Sequence, residues 1–147
     1  MPGDRGYDVG KQVKGRTRHL LVDTLGLLLA VVVTAASVQD RDSARLLFPR
    51  LGGACKKLRN IRGDGGYRGS LLIWVAERFR FVRHPVQRSP EQRGFAVLPR
   101  RWGVERTFSW FTLCRRLSND YERHPESRET FIYITMTRLM LRRLAPG

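Results

Sequence analysis

Long apolar runs are missing from this chain: the longest, Leu25 to Ala36, has about twelve residues and is interrupted by Gly26 and Thr34. A membrane-spanning helix needs about twenty. The opening residues, MPGDRGYDVGK, carry no apolar stretch of the secretory kind. The expectation is therefore a cytoplasmic protein with no membrane partner. Cysteine is nearly absent too. Cys55 and Cys114 share no C-x-x-C spacing and have no ligand-spaced partners, which argues against a zinc site and for a reduced compartment. Internal repeats, low-complexity tracts and a recognisable helix-turn-helix reader are also lacking. Carboxylates are the last scarcity. Thirteen Asp and Glu face 28 Lys and Arg, giving a net charge of +15. Self-repulsion at that level destabilises a compact state unless an anionic surface neutralises it, and nucleic acid is the commonest such surface. The bland alternative is an arginine-rich composition inherited from a GC-rich genome.

What is present suits one folded domain. At 147 residues and 41% hydrophobic, the chain can bury a single core and is short for two. Residues 1–18 are glycine-rich and basic, and are expected to be extended or disordered up to His19. Asp23-Thr24-Leu25-Gly26 breaks the following apolar stretch into two strands joined by a tight turn. The run from Leu27 to Thr34, with three successive valines, reads as a strand buried on both faces. Asp42-Ser43 can cap a short helix over Ala44–Phe48. Gly63-Asp64-Gly65-Gly66-Tyr67 demands a sharp turn, Ser70 can cap a helix over Leu71–Arg78, and Phe79–Arg83 looks like another strand. One helix is expected over Arg101–Leu117 and a last one over Glu126–Leu144, with Ile132, Met136, Leu139, Met140 and Leu144 at helical spacing. Strands first and long helices last give an α/β domain.

Two carboxylates stand out by context. Asp64 follows a candidate strand in a glycine-rich turn, where ligand sites of open α/β sheets lie; the plain alternative is an Asp bonding its own turn backbone. Glu105 lies within the penultimate helix on a polar strip with Arg101, Ser109 and Thr112, bordered by Trp102 and Phe108, while Val104, Phe111 and Leu117 belong to faces that should pack. The plain alternative there is a solvated Glu paired with Arg101 one turn back.

The stretches KGRTRHLLVDTLGLLLAVVVTAASVQDRDSARLL, GDGGYRG and LPRRWGVERTFSWFTLCRRLSNDYE, in this order, closely resemble insertion-sequence transposases of the DDE superfamily. The resemblance runs from Gly6 to Leu144, and the third stretch is its most specific part. It implies a ribonuclease-H-like fold and DNA strand cleavage and joining by two-metal phosphoryl transfer, with Mg²⁺ or Mn²⁺ held by converging carboxylates. On it, Asp64 maps to the family's second catalytic Asp, Glu105 to its catalytic Glu, and Arg101 to the Arg that precedes that Glu by four residues. The family's first Asp lies on a strand upstream of the matched stretches, and Asp4, Asp8 and Asp23 do not match its motif. The resemblance therefore implies an incomplete sheet with the first strand missing, leaving Leu20–Val22 and Leu58–Ile61 on either side of an empty slot. It also implies a segment inactive alone, either a remnant or one needing an upstream transposase segment or a second copy. A polar lead-in, Leu58-Arg59-Asn60-Ile61-Arg62, departs from the apolar strand usual before that second Asp.

The candidate DNA contacts are Lys11, Lys14, Arg16 and Arg18 before the hairpin, Arg68 beside the glycine turn, and Arg100, Arg101, Arg115 and Arg116 around the Glu105 helix. Trp102, Trp110 and Tyr121 are interleaved there and could stack on bases; the alternative places the tryptophans in the core and the arginines on a solvated face. A non-catalytic basic nucleic-acid-binding protein explains the charge equally well, but not the transposase-like motifs.

Overall fold

The computed structural model describes residues 5–10, 12–55, 60–63, 70–79, 82–85 and 102–145. Strands β1 (Gly6–Asp8), β2 (Val13–Val22) and β3 (Leu28–Ala35) form an antiparallel sheet in that order. Helix α1 (Asp40–Leu47) follows and leads into a 3₁₀ segment, Phe48–Cys55. Strands β4 (Asn60–Gly63) and β5 (Val82–Pro85) pair parallel in a separate sheet, with helix α2 (Ser70–Phe79) between them in sequence. Helices α3 (Trp102–Thr112), α4 (Arg115–Ser118) and α5 (Pro125–Leu144) complete the molecule.

β3 is the spine. Ala30 and Val32 pack with Ala44, Leu47, Phe48, Leu51, Ile61 and Val75 on one side, and Val31 and Val33 pack with Phe111, Leu117, Ile132 and Met136 on the other. A strand sandwiched in this way reads as a continuous apolar run, as the sequence suggested. Leu28 belongs to the α5 side although it has the parity of Ala30. The cause is a bulge: Leu21 pairs with Ala30 but Val22 pairs with Leu28, so Leu29 is an extra residue that reverses the facing of what precedes it.

Several boundaries differ from the sequence expectations, each for a physical reason. The segment before His19, expected to be extended or disordered, takes the extended alternative as regular strand: β2 begins at Val13 and continues through Arg16, which pairs with Ala35. α1 starts at Asp40 with Gln39 at the N-cap, so Asp42 and Ser43 lie inside the helix. Asp40 and Asp42 act there through the helix dipole instead of a capping bond. Ser43, fully buried, turns its hydroxyl back to the Gln39 carbonyl at 3.2 Å. β5 starts at Val82. The expected single helix over Arg101–Leu117 is broken at Leu113-Cys114. Phe111 and Leu117 are both 1% exposed. In a continuous helix the two side chains would point about 120° apart, and the break lets both turn fully into the same core. Val104, expected to pack, is 36% exposed, and Leu144 is 81% exposed beyond the end of the core.

The Asp23–Leu27 turn is tightly specified. Asp23 Oδ1 accepts from the backbone N–H groups of Leu25 and Leu27, both at 2.8 Å. Gly26 sits at φ +80°, and a Cβ there would lie 2.8 Å from the Gly103 carbonyl oxygen of α3. Gly26→Ala is expected to cost about 1–3 kcal/mol from backbone strain, before any clash is counted. Urea denaturation checks it. A change within about 0.5 kcal/mol, the ordinary range for surface substitutions, would show that the turn and α3 separate freely.

Candidate active site and nucleic-acid interface

Helix α3 presents Glu105 from its first turn. Gly103, Thr107 and Phe111 form the buried stripe, while Val104, Glu105, Phe108, Ser109 and Thr112 face outward. The stripe is fastened to the hairpin. The fully buried Thr107 hydroxyl lies 2.5 Å from the Gly26 carbonyl and 2.9 Å from that of Gly103, one of which takes its proton at a time. Arg106 Nη1 donates to the Leu25 carbonyl at 3.4 Å. The turn and the start of α3 are thus one piece, and Glu105 stands on a fixed platform. Among the described residues, no hydrogen bond or ion pair engages its carboxylate. A free carboxylate is a hard oxygen donor of the kind Mg²⁺ selects, so the chemistry of the position fits a metal ligand. Asp64 lies just past Gly63, the end of β4, outside the described residues, as do Lys11, Arg68, Arg100 and Arg101. Among the described residues no group of three His, Cys, Asp or Glu could hold a metal ion. Asp23 is committed to its turn, and Asp8 Oδ1 accepts the Gly10 N–H at 2.9 Å.

The expected basic contacts separate into two kinds. Arg16 is drawn inward, its side chain only 1% exposed. Its guanidinium donates to Asp120 Oδ1 at 3.3 Å and to the carbonyls of Glu122 at 2.8 Å and Arg123 at 2.5 Å. Arg128, equally buried, reaches the same Asp120 oxygen at 3.0 Å and the Asn119 carbonyl at 2.6 Å. Arg16 therefore ties β2 to the α4–α5 loop, and a phosphate could reach it only by displacing Asp120. Half-buried Arg18 has its pKa pushed below the ordinary guanidinium value by burial and then by the charge of Arg128, against the opposing pull of Asp120. Lys14, Arg115 and Arg116 are exposed. Arg116 pairs with Glu122 at 2.7 Å and lies over Phe131, 4.2 Å from the ring centroid.

Trp110 packs against the α5-side core while its ring carries Arg106 at 5.7 Å and Arg143 at 4.8 Å. The core alternative considered for it in the sequence thus holds in part, and two guanidinium groups lie over the same ring. Arg143, with Arg138 and Arg142, was not among the expected DNA contacts, because nothing local in the sequence connects α5 to α3. Cys114, at the break between α3 and α4, faces Thr135 of α5. Its thiol pKa is lowered, first by the hydrogen bond from the Thr135 hydroxyl at 3.6 Å and also by backbone N–H groups and Arg138.

A family model described as the transposase DDE domain matches residues 1–140. This chain belongs to that family. Among curated proteins, the putative transposase for insertion sequence element IS402 of Burkholderia cepacia is similar to the transposase domain, 29% identical over 129 residues. That match covers 80% of this chain and 59% of the relative, so the chain spans well under two thirds of that protein's length. No solved structure matches it. Among the described residues, no helix is long and apolar enough to cross a membrane.

Proposed function

We propose that this transposase domain handles DNA as part of a cytoplasmic insertion-sequence machinery that cleaves and joins strands by metal-dependent phosphoryl transfer. Residues 1–147 act as a single domain built on a ribonuclease-H-like sheet. The observation that carries the reading is Glu105: a carboxylate with no partner among the described residues, on a helix start fastened to the hairpin turn, within the span that the family model matches. Asp64 and Glu105 would hold Mg²⁺ or Mn²⁺, which when bound activates the attacking oxygen and stabilises the leaving one. Glu105 supplies one carboxylate from α3, Thr107 and Gly26 keep that helix in place, and the exposed arginines hold DNA phosphates. Two carboxylates are a sparse set for a metal pair, so a third comes from an upstream transposase segment or a second copy.

The test is nicking of transposon-end DNA by the purified chain in Mg²⁺ or Mn²⁺. The expected result is DNA binding without nicking by the chain alone. Metal-dependent nicking should appear when an upstream segment carrying an Asp is supplied, and Glu105→Gln should abolish it. Nicking that survives Glu105→Gln would remove Glu105 from the site, and binding that never leads to nicking in any combination would favour a non-catalytic DNA-binding role.

A further inference from the structure

The α3–α4 run lies antiparallel to α5, and three contacts fix that pairing: Arg116 on Phe131, Thr135 against Cys114 at 3.6 Å, and Arg143 on Trp110. Along this seam the two helical stretches carry charge of one sign, and the carboxylate that meets it is that of Glu122 from the α4–α5 loop, on Arg116. Residues 106–119 contain no Asp or Glu, and neither do residues 130–147. The same two stretches carry Arg106, Arg115, Arg116, Arg138, Arg142 and Arg143. Three of the six lie on aromatic rings of the seam, Arg106 and Arg143 on Trp110 and Arg116 on Phe131. A guanidinium laid on a ring keeps its N–H edge for a second partner while its freedom is already reduced. Arg138 stands three residues after Thr135 on α5 and so shares the helix face that meets Cys114. Attraction of Arg142 and Arg143 to the C-terminal end of the α5 dipole explains only the last turn; Arg106 has the Leu25 carbonyl and Arg116 has Glu122 as local partners, and neither contact accounts for the two arginines lying on the rings of the seam.

We infer that this arginine seam is a track for one DNA strand, contacting consecutive phosphates along α5 and delivering the strand toward Glu105. The inference rests on the DNA-handling reading above and adds its path. From Phe131 to Arg143 the helix rises about 18 Å. At about 3.4 Å of axial rise per nucleotide along one strand, that length matches roughly five phosphates. The direction follows from the fold: the Trp110 end of the seam is the α3 end, and Arg106 is the neighbour of Glu105.

The experiment measures affinity of the full chain for a fluorescent duplex of transposon-end DNA across a salt series. Two charge-matched triple variants are compared, R138Q/R142Q/R143Q on the seam and R41Q/R45Q/R78Q on α1 and α2, where all three arginines are exposed. Glutamine keeps much of the aliphatic stem, and unchanged circular dichroism and melting temperature confirm that each variant is folded. Contact with about six phosphates predicts a slope of log K against log salt near −5 for the unaltered chain. The seam triple should make it less steep by roughly 2–3 units, and the control triple by less than about one. Equal changes in the two triples, or a larger one in the control, would overturn the track while leaving DNA binding intact. No binding by the unaltered chain at low salt would overturn the DNA-handling reading and the track with it.

Discussion

Asp120→Ala is expected to lower the unfolding free energy by about 3–5 kcal/mol, the usual cost of stranding a buried partner charge. Asp120 is the only carboxylate that Arg16 and Arg128 meet among the described residues, and their side chains are 1% and 3% exposed. Without it two guanidinium groups remain out of water with only carbonyl oxygens for company. The loop carbonyls of Asn119, Glu122 and Arg123 would lose their register too, because the same guanidinium groups hold them. Arg5, half-exposed at 3.5 Å, adds little. Equilibrium urea denaturation supplies the measurement. Asp120→Asn, which keeps one acceptor oxygen, should lose less. Adding Arg16→Met to Asp120→Ala should recover part of the loss, since one stranded charge goes with it. A loss below about 1 kcal/mol would mean that water reaches both arginines.

Phe111→Ala should be as costly, about 3–5 kcal/mol, and should carry function with it. Its ring is among the largest fully buried side chains and is the main apolar anchor of α3 under β3 and α5. In a domain of this size each kcal/mol corresponds to roughly 2–4 °C, so the melting temperature should fall by roughly 6–20 °C. Phe108, which meets Phe111 edge-on at 6.2 Å but is 37% exposed, provides the contrast. Phe108→Ala should cost roughly 0.5–1.5 kcal/mol. Because Glu105 rides on the helix that Phe111 anchors, any metal-dependent activity of a completed assembly should fall further with Phe111→Ala than with Phe108→Ala. Equal melting temperatures for the two variants would show that α3 is held from its N-terminal end alone.

The sequence disclosed what is periodic or composed locally. β3 was legible because a doubly buried strand must be apolar at every position, and α5 because its buried positions repeat with the helix. The Asp23–Gly26 turn was legible from residue chemistry, although its docking on Gly103 was not, since close backbone approach leaves only a glycine as its trace. The break in α3–α4 was hidden because each half has acceptable helix residues; the demand comes from Leu117 having to face the same core as Phe111. Arg16 was the costliest surprise. Among closely spaced basic residues it looks like its neighbours, and only Asp120, 104 positions away, distinguishes it. For the candidate site, Glu105 rested on a motif and a polar strip, and its exposure agrees with that strip. Trp110 could not be divided between core and surface from sequence, because it is partly buried against the core and also carries two guanidinium groups.

The outer edge of β3 has a consequence of its own. Val33 N–H donates to Glu129 Oε1 at 2.8 Å, Val31 N–H to the Tyr133 hydroxyl at 3.3 Å, and the Val31 carbonyl accepts from Arg50 Nη1 at 3.1 Å. Arg50 is also paired with Glu129. Side chains from α5 and the 3₁₀ segment thus occupy the backbone positions that an incoming strand would need, which is how native sheets disarm an edge. From Arg16 to Val22 the other edge of β2 has no strand partner among the described residues. The sheet is therefore a terminus on one side and a socket on the other. Among the described residues, the long open edge of this sheet is that of β2, so two copies joined through it face each other as a pair and leave no second long edge for further growth. Growth stops at a pair, or at whichever single strand fills the socket first.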